Sequence, residues 1–394
     1  MISIQNPCPV CSNKRFAELI DFGEVPQSGI LLFSPSEHFP MIRLAFEYCL
    51  ACAFIRQRPW DQSSWDYRKV NRPTRGQMPV YVNEVIDFFN QSQSKDSDLV
   101  LEIGGNDGAF MDQLAIAGLK CRLIIEPSLS LAEVARKKGH PVENVYFNLI
   151  EAERLRKRYG PAKVVFCRHV LEHVPDPEDF FRALRLMTAV EGMVFLETPD
   201  VYGITQRLLG HELWDEHLSF YSLDHLSRLT KRFGFDIYWK AVRPHRGGFN
   251  ILLWARPGEL REAASINTAE KDLALCRSFK ERWLKFSLKI RQDACHWKRP
   301  VACLGASHPQ SNFVVFSGLG DRIDFLVDDD PEKLNSFVPL PNLTPVLSTE
   351  QLLDGHPLGT LLLTAFGCQD WIDKVQKPLV RRGVRLIDPY LFLA

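Results

Sequence analysis

The sequence predicts an α/β chain in which a small cysteine-paired segment precedes two doubly wound units of short apolar strands, glycine-containing turns and helices. Three observations predict it. Residues 100–128, VLEIGGNDGAFMDQLAIAGLKCRLIIEPS, run from an apolar strand through Gly104, Gly105 and Gly108. A helix-spaced run follows (Phe110, Leu114, Ala117), closed by Gly118, and a second apolar strand ends on Glu126. Residues 301–330 repeat that order: a strand at 301–304, a small-residue turn at Gly305-Ala306-Ser307-His308, a helix, a strand at 325–327 and the acids Asp328-Asp329-Asp330. Apolar runs at 142–147, 164–167 and 193–196 alternate with helical stretches, the pattern of a parallel sheet covered on both faces.

At 394 residues the chain exceeds one typical core. The expected units are residues 1–66, 67–257 and 258–394, the last opening on a long amphipathic helix with Leu273, Cys276, Phe279, Trp283, Phe286 and Ile290 on one face. Hydrophobic content of 45% and charged content of 24% are those of an ordinary globular protein. Lys and Arg total 48 against 48 Asp and Glu, so no basic excess attracts a phosphate backbone and nucleic acid is not an expected partner. No run has the length of a membrane span, and MISIQNPC lacks a basic stretch followed by an apolar one. The expectation is a cytoplasmic protein acting on a small molecule, with no membrane partner and its oligomeric state open.

The cysteines divide by position. Cys8-Pro-Val-Cys11 and Cys49-Leu-Ala-Cys52 present two C-x-x-C knuckles, which together complete a tetrahedral thiolate set for structural Zn²⁺. Two short hairpins are expected between them. A redox pair is the competing reading, and neither knuckle opens a helix after a strand as that reading requires. Cys121, Cys167, Cys276, Cys295, Cys303 and Cys368 are expected in the core. The aromatic segment with Trp60, Trp65, Tyr67 and Tyr81, ending in a helix at 80–89, is expected to lid a site or to pack between units.

In the first α/β unit Glu126 lies about 20 residues beyond the glycines, where a carboxylate accepts both hydroxyls of a ribose. The glycines do not read G-x-G-x-x-G, and Asp107 stands where a pyrophosphate would need the helix N-terminus. A carboxylate there suits a cationic ligand such as S-adenosylmethionine (SAM). The plainer alternative is an ordinary βα unit with a surface acid. Gly104, Asn106, Asp107, Glu126, Pro127 and Ser128 are the candidate cofactor residues. Asn148 is expected near the adenine, and Arg168 and His169 over the methionine end.

Together EIGGNDG, IEPS and VLEHVPDP resemble class I SAM-dependent methyltransferases. With the four-cysteine segment and the second Rossmann-like unit, the whole chain resembles the sugar C-methyltransferase family. That resemblance implies SAM as cofactor, structural zinc and a nucleotide-linked 4-keto-deoxysugar as acceptor. In the family an aromatic-x-Glu-His element supplies the catalytic pair, here Trp214-Asp215-Glu216-His217. His217 is thereby the candidate base that removes an α-proton, and Glu216 its partner or a sugar ligand. The alternative for the two is a hydrogen-bonded loop pair. The resemblance also implies substrate contacts from Trp214, His245, Arg246 and Asn250; Glu197, at the tip of the fifth strand, is a further candidate, and Gly305, Ser307 and His308 are candidates in the second unit, whose alternative is a purely structural domain.

Two departures fall on the acceptor side. The family's Tyr-His before Glu-His is Trp214-Asp215 here, and its His-Gly-Gly-Ser-x-Arg element is represented by His245-Arg246-Gly247-Gly248-Phe249-Asn250. The lysine and glycine expected after the second turn are replaced by Pro309 and Gln310. Methylation of oxygen, nitrogen or carbon on another small metabolite is one rival reading, and a non-catalytic scaffold is the other.

Overall fold

The computed structural model describes residues 7–58, 83–84, 86–87, 98–116, 121–245, 248–260, 270–365 and 369–393. The expected aromatic lid at 58–89, the close of the first helix at Gly118, Arg246 and Cys368 lie wholly or mostly outside those residues, as does the boundary expected at 66.

The N-terminal segment is built on one long antiparallel pair, β1 (Phe16–Pro26) and β2 (Met41–Cys49), extended by β3 (Ile55–Gln57). One hairpin therefore separates the two cysteine pairs, where two short ones were expected. The central unit follows with β4 (Val100–Ile103), β5 (Arg122–Ile125), β6 (Val142–Glu143), β7 (Ala162–Arg168) and β8 (Thr188–Pro199), all parallel. Ile103, Ile125 and Val165 among their buried side chains are β-branched and fit a sheet covered on both faces. The strand expected at 142–147 stops at Glu143, because Asn148 caps the helix Leu149–Tyr159 by accepting the Glu151 amide. Asp176 likewise caps the helix Pro177–Met187, with proline in its first turn.

After β8 the chain leaves the parallel sheet. Its short strand β9 (Ser219–Phe220) pairs with β3, so the N-terminal sheet has the order β1-β2-β3-β9. The hairpin of β10 (Phe235–His245) and β11 (Gly248–Pro257) then closes the central sheet antiparallel to β8, giving β10-β11-β8-β7-β4-β5-β6.

A 25-residue helix, Glu270–Ala294, leads to the third sheet. Its six predicted apolar positions are all buried, and Trp283 and Phe279 share one core with Leu19 and Phe46 of the N-terminal sheet and Phe313 beyond. Phe22 stacks on Phe316 with centroids 4.1 Å apart, locking the first hairpin to the last unit. That unit contains β12 (Val301–Leu304), β13 (Phe325–Val327), β14 (Phe337–Pro339), β15 (Leu343–Leu347), β16 (Thr360–Leu362) and β17 (Arg385–Ile387). Its order is β14-β15-β13-β12-β16-β17, parallel except for β14. The predicted α/β architecture with two parallel sheets and a small N-terminal segment is therefore the observed one. Cys167, Cys276 and Cys303 are core residues as expected, whereas Cys295 is exposed and Cys121 half-buried. Among the described residues no helix is long and apolar enough to cross a membrane.

Candidate active site

The four paired cysteines converge. Cys8 Sγ lies 3.5 Å from Cys52 Sγ and Cys11 Sγ 3.5 Å from Cys49 Sγ, and all four sulfurs lie within 4.8 Å of one another. A tetrahedron of Zn–S bonds near 2.3 Å needs sulfurs roughly 3.8 Å apart, so the set fits a divalent ion. Asn13 Nδ2 and the Ala51 amide both donate to Cys49 Sγ at 3.4 Å, the outer hydrogen bonds a thiolate ligand requires.

At the first turn Asn106 (φ +52°) and Gly104 (φ +70°) bend the backbone after β4. A Cβ on Gly104 would meet Val170 Cγ2 at 2.2 Å, so glycine is required there by the turn that follows β7. Glu126, 1% exposed, accepts the amide of Asn106 with one oxygen and that of Ser128 with the other, each at 2.8 Å. Burial outweighs those bonds and pushes its carboxyl up to about 6. Asn144, which sequence reasoning missed, fixes this corner by donating to the carbonyls of Glu126 and Pro127. Ser128 also caps the helix Leu129–Lys137. Asp107 is not a lone negative charge at the turn, because Lys138 Nζ pairs with it at 3.3 Å. Asn148 caps the following helix with its side-chain oxygen.

The residues assigned to cofactor and to acceptor meet around one carboxylate. Glu197 accepts from Arg168 Nε at 2.7 Å and Asn250 Nδ2 at 2.6 Å, and pairs with His169 Nε2 at 3.1 Å. The other ring nitrogen of His169 faces Glu172 at 3.3 Å, and Thr198 donates to that acid. Glu172 stands inside VLEHVPDP, yet sequence reasoning passed over it. Partial burial pulls the His169 imidazolium down, but Glu197 and Glu172 outweigh it and raise its pKa to about 9. Burial alone would push Glu172 up; His169 instead holds it at about 2.

The loop bearing Trp214, Asp215, Glu216 and His217 lies over this network. The Leu218 amide donates to the Glu172 carbonyl at 2.7 Å, and His173 Nδ1 bonds the Glu216 carbonyl at 2.8 Å. The His217 ring packs edge-on against His173 and Trp214, with centroids 4.9 and 4.6 Å away. Burial, reinforced by His173, pulls His217 down to about 3. The resting ring is therefore a neutral imidazole. On the other side Glu216 Oε1 faces His308 Nε2 at 3.3 Å, and the His308 ring lies 4.5 Å from Trp214. A Cβ on Gly29 would meet His308 Nε2 at 1.9 Å, so the N-terminal segment also closes against this ring.

Gly305 (φ +94°) and Ser307 form the second turn. Asp328 accepts the Ala306 amide at 2.9 Å, and Lys333 Nζ reaches both Asp328 and Ser307 Oγ at 2.7 and 3.2 Å. The missing lysine after the turn is thus supplied from five residues beyond the acid. His245 ends β10, at the hairpin's tip, and Arg246 lies outside the described residues.

Residues 74–239 match the family model described as a methyltransferase domain. The chain is a SAM-dependent methyltransferase of class I. The methyltransferase is 25% identical to C-methyltransferase NovU of Streptomyces niveus, over 97% of this chain and 94% of that protein. It is 30% identical to a ubiquinone biosynthesis O-methyltransferase of Pseudomonas syringae pv. tomato, over 34% of this chain and 56% of that one. Among solved structures, magnesium protoporphyrin IX methyltransferase from Synechocystis PCC 6803 is 17% identical and covers 46% of this chain and 89% of its own, with a TM-score of 0.35. The NovU match spans all three parts of the chain, whereas the O-methyltransferase match spans about a third of it.

Proposed function

We propose that this methyltransferase transfers a methyl group to carbon, on a nucleotide-linked deoxyketosugar, through an enolate made by His217. The observation that carries the reading is the His217 imidazole. It packs edge-on against His173 and Trp214, beside the Glu172 network, on the loop that covers the ends of β7 and β8. A hydroxyl or amine acceptor is itself a nucleophile, but a saturated carbon beside a ketone becomes one only after losing a proton. The likeness to NovU over nearly the whole length supports the same reading.

When bound, SAM supplies an electrophilic methyl group. Glu126 and the Asn106 turn hold its ribose, with Gly104 leaving room for the backbone to approach. Glu197, locked by Arg168 and Asn250, keeps His169 protonated at the sheet edge. His217 would take the α-proton from the sugar carbon, leaving a carbon nucleophile for the methyl group that SAM would supply, and Glu216 with His308 orients the loop. Zn²⁺ held by Cys8, Cys11, Cys49 and Cys52 is structural, because four thiolates leave no open coordination position. It cross-links the knuckle whose strand β3 pairs with β9, two residues beyond His217.

The test is proton exchange. With a nucleotide-linked 4-keto-6-deoxyhexose and S-adenosylhomocysteine in deuterated water, the enzyme should exchange the α-proton of the recovered sugar for deuterium; with SAM it should release C-methylated sugar in which that hydrogen has been lost to solvent. His217→Asn should lower turnover by about 10²–10⁴-fold while SAM affinity stays unchanged. Retained turnover in that variant removes His217 from the role of base. SAM binding with no keto-sugar turnover or exchange would transfer the activity to another metabolite.

A further inference from the structure

We propose that Glu172, His173 and His217 form a second metal site, which takes a divalent transition-metal ion and, when filled, silences His217 as a base. Binding stands on the geometry alone; the loss of activity rests on the His217 reading above. One ligand atom from each of the three residues lies within 4.8 Å of the others. Zn–N and Zn–O bonds of about 2.0–2.2 Å put tetrahedral ligands roughly 3.3–3.6 Å apart, so the set closes on an ion with a shift of about an ångström. Among the described residues the four cysteines are the other such group, and they form a separate site.

The three ligands come from two segments tied together through the backbone. Glu172 and His173 are neighbours in the short 3₁₀ turn Leu171–His173. The Leu218 amide donates to the Glu172 carbonyl at 2.7 Å, which holds the residue next to His217 on that turn. His173 Nδ1 donates to the Glu216 carbonyl at 2.8 Å, so in the neutral ring the hydrogen is on Nδ1 and the lone pair on Nε2. A histidine oriented by a backbone carbonyl through one nitrogen is the usual arrangement of a metal ligand that binds through the other. Glu172 is 2% exposed, and its orientation is fixed as well. Thr198 Oγ1 donates to one of its oxygens at 3.0 Å, and His169 Nδ1 faces the other at 3.3 Å. His173, half-buried, is the most exposed of the three and connects the set to solvent.

Two imidazoles and one carboxylate select the ion. Imidazole nitrogen suits Zn²⁺, Co²⁺, Ni²⁺ and Cu²⁺, whereas Mg²⁺ and Ca²⁺ take oxygen donors. Three protein ligands leave a coordination position open to water, unlike the four thiolates. An ion held there takes the lone pair with which His217 would accept a proton. The consequence is inhibition by transition metals that spares the zinc knuckle.

Co²⁺ tests the site by its absorption. Added to the zinc-replete enzyme loaded with S-adenosylhomocysteine, it should give a saturable d–d spectrum with one ion bound per chain. That spectrum should lack the sulfur-to-cobalt charge-transfer band that exchange into the four-cysteine set produces. Deuterium exchange of the keto sugar should then slow at least tenfold, and recover with a chelator too weak to strip four thiolates. Mg²⁺ should have no effect. His173→Gln should weaken cobalt binding at least about tenfold and, against its own cobalt-free rate, lose the inhibition. No cobalt spectrum, a charge-transfer spectrum alone, or equal inhibition by Mg²⁺ overturns the proposal and leaves the keto-sugar reading standing. Cobalt binding without inhibition overturns it too, since an ion on His217 cannot leave the base free. If the cobalt-free enzyme exchanges no deuterium, the keto-sugar reading fails and the inhibitory half falls with it, while the cobalt spectrum still decides the site.

Discussion

At the first turn Glu126 accepts the amides of Asn106 and Ser128; at the second Asp328 accepts the amides of Ala306 and Asp330. Both acids end the second strand of a strand–turn–helix–strand unit, and both brace a turn opened by a glycine with positive φ. The difference is charge. Lys333 neutralises Asp328 and extends to Ser307, so the second turn presents a cation beside a helix start. Among the described residues Glu126 has backbone partners and no lysine, so its carboxylate keeps lone pairs for hydroxyl donors. The same local geometry therefore leaves a carboxylate braced by amides alone in one unit and a carboxylate paired with a lysine in the other.

Breaking the first turn should have the largest effect. On the proposed reading Glu126→Ala would remove two ribose hydrogen bonds to a charged acceptor, at about 1.5–3 kcal/mol each, so SAM affinity measured by calorimetry should fall about 100-fold or more. Asp328→Asn should leave SAM affinity at the wild-type value, and a comparable loss there would remove the distinction between the turns. Removing the metal comes next. Cys49→Ser should abolish bound zinc in elemental analysis and expose the β3–β9 pairing to hydrogen exchange, while the helices of the second α/β unit stay protected. A smaller effect is expected from Lys333→Met: acceptor KM should rise about tenfold with kcat and SAM affinity kept, the loss of roughly one charge-assisted bond. An unchanged KM would show that the second turn does not contact the acceptor.

The smallest effect is on stability against pH. His169 has a folded pKa raised to about 9 against an ordinary value near 6.5, so protonation favours the folded state. Its contribution is complete below about pH 6.5 and is lost as pH rises through about 9. With its ring 35% exposed, the change is modest. Thermal melts should show a Tm lower at pH 9 than at pH 6.5, and His169→Gln should flatten that difference. A Tm that rises across the same interval would refute the sign.

The residues that sequence reading located best belong to features fixed by neighbours along the chain. The two C-x-x-C knuckles, the glycine turns and the acids that end strands are local, because turn geometry and strand period constrain residues within a few positions. Arg168, His169, Glu197 and Asn250 were each named, but assigned to two different ligands. Their union around one carboxylate depends on β7, β8 and β11 lying side by side. Ser28, Gln57 and Lys333 carried no motif. Ser28 meets Asp215 across 187 positions of sequence, and β3 meets the chain just beyond His217 only because β9 leaves the central unit to pair with it.

By itself the sequence determined the α/β class, the thiolate set and the glycine turn with its strand-ending acid, since hydrophobic period and turn chemistry act over short distances. Tertiary structure decided the charge of the second turn and the protonation of His169 and His217. It also decided which buried polar groups lack partners. Those properties are set by burial and by charges brought together from distant segments, and short-range pattern does not encode them.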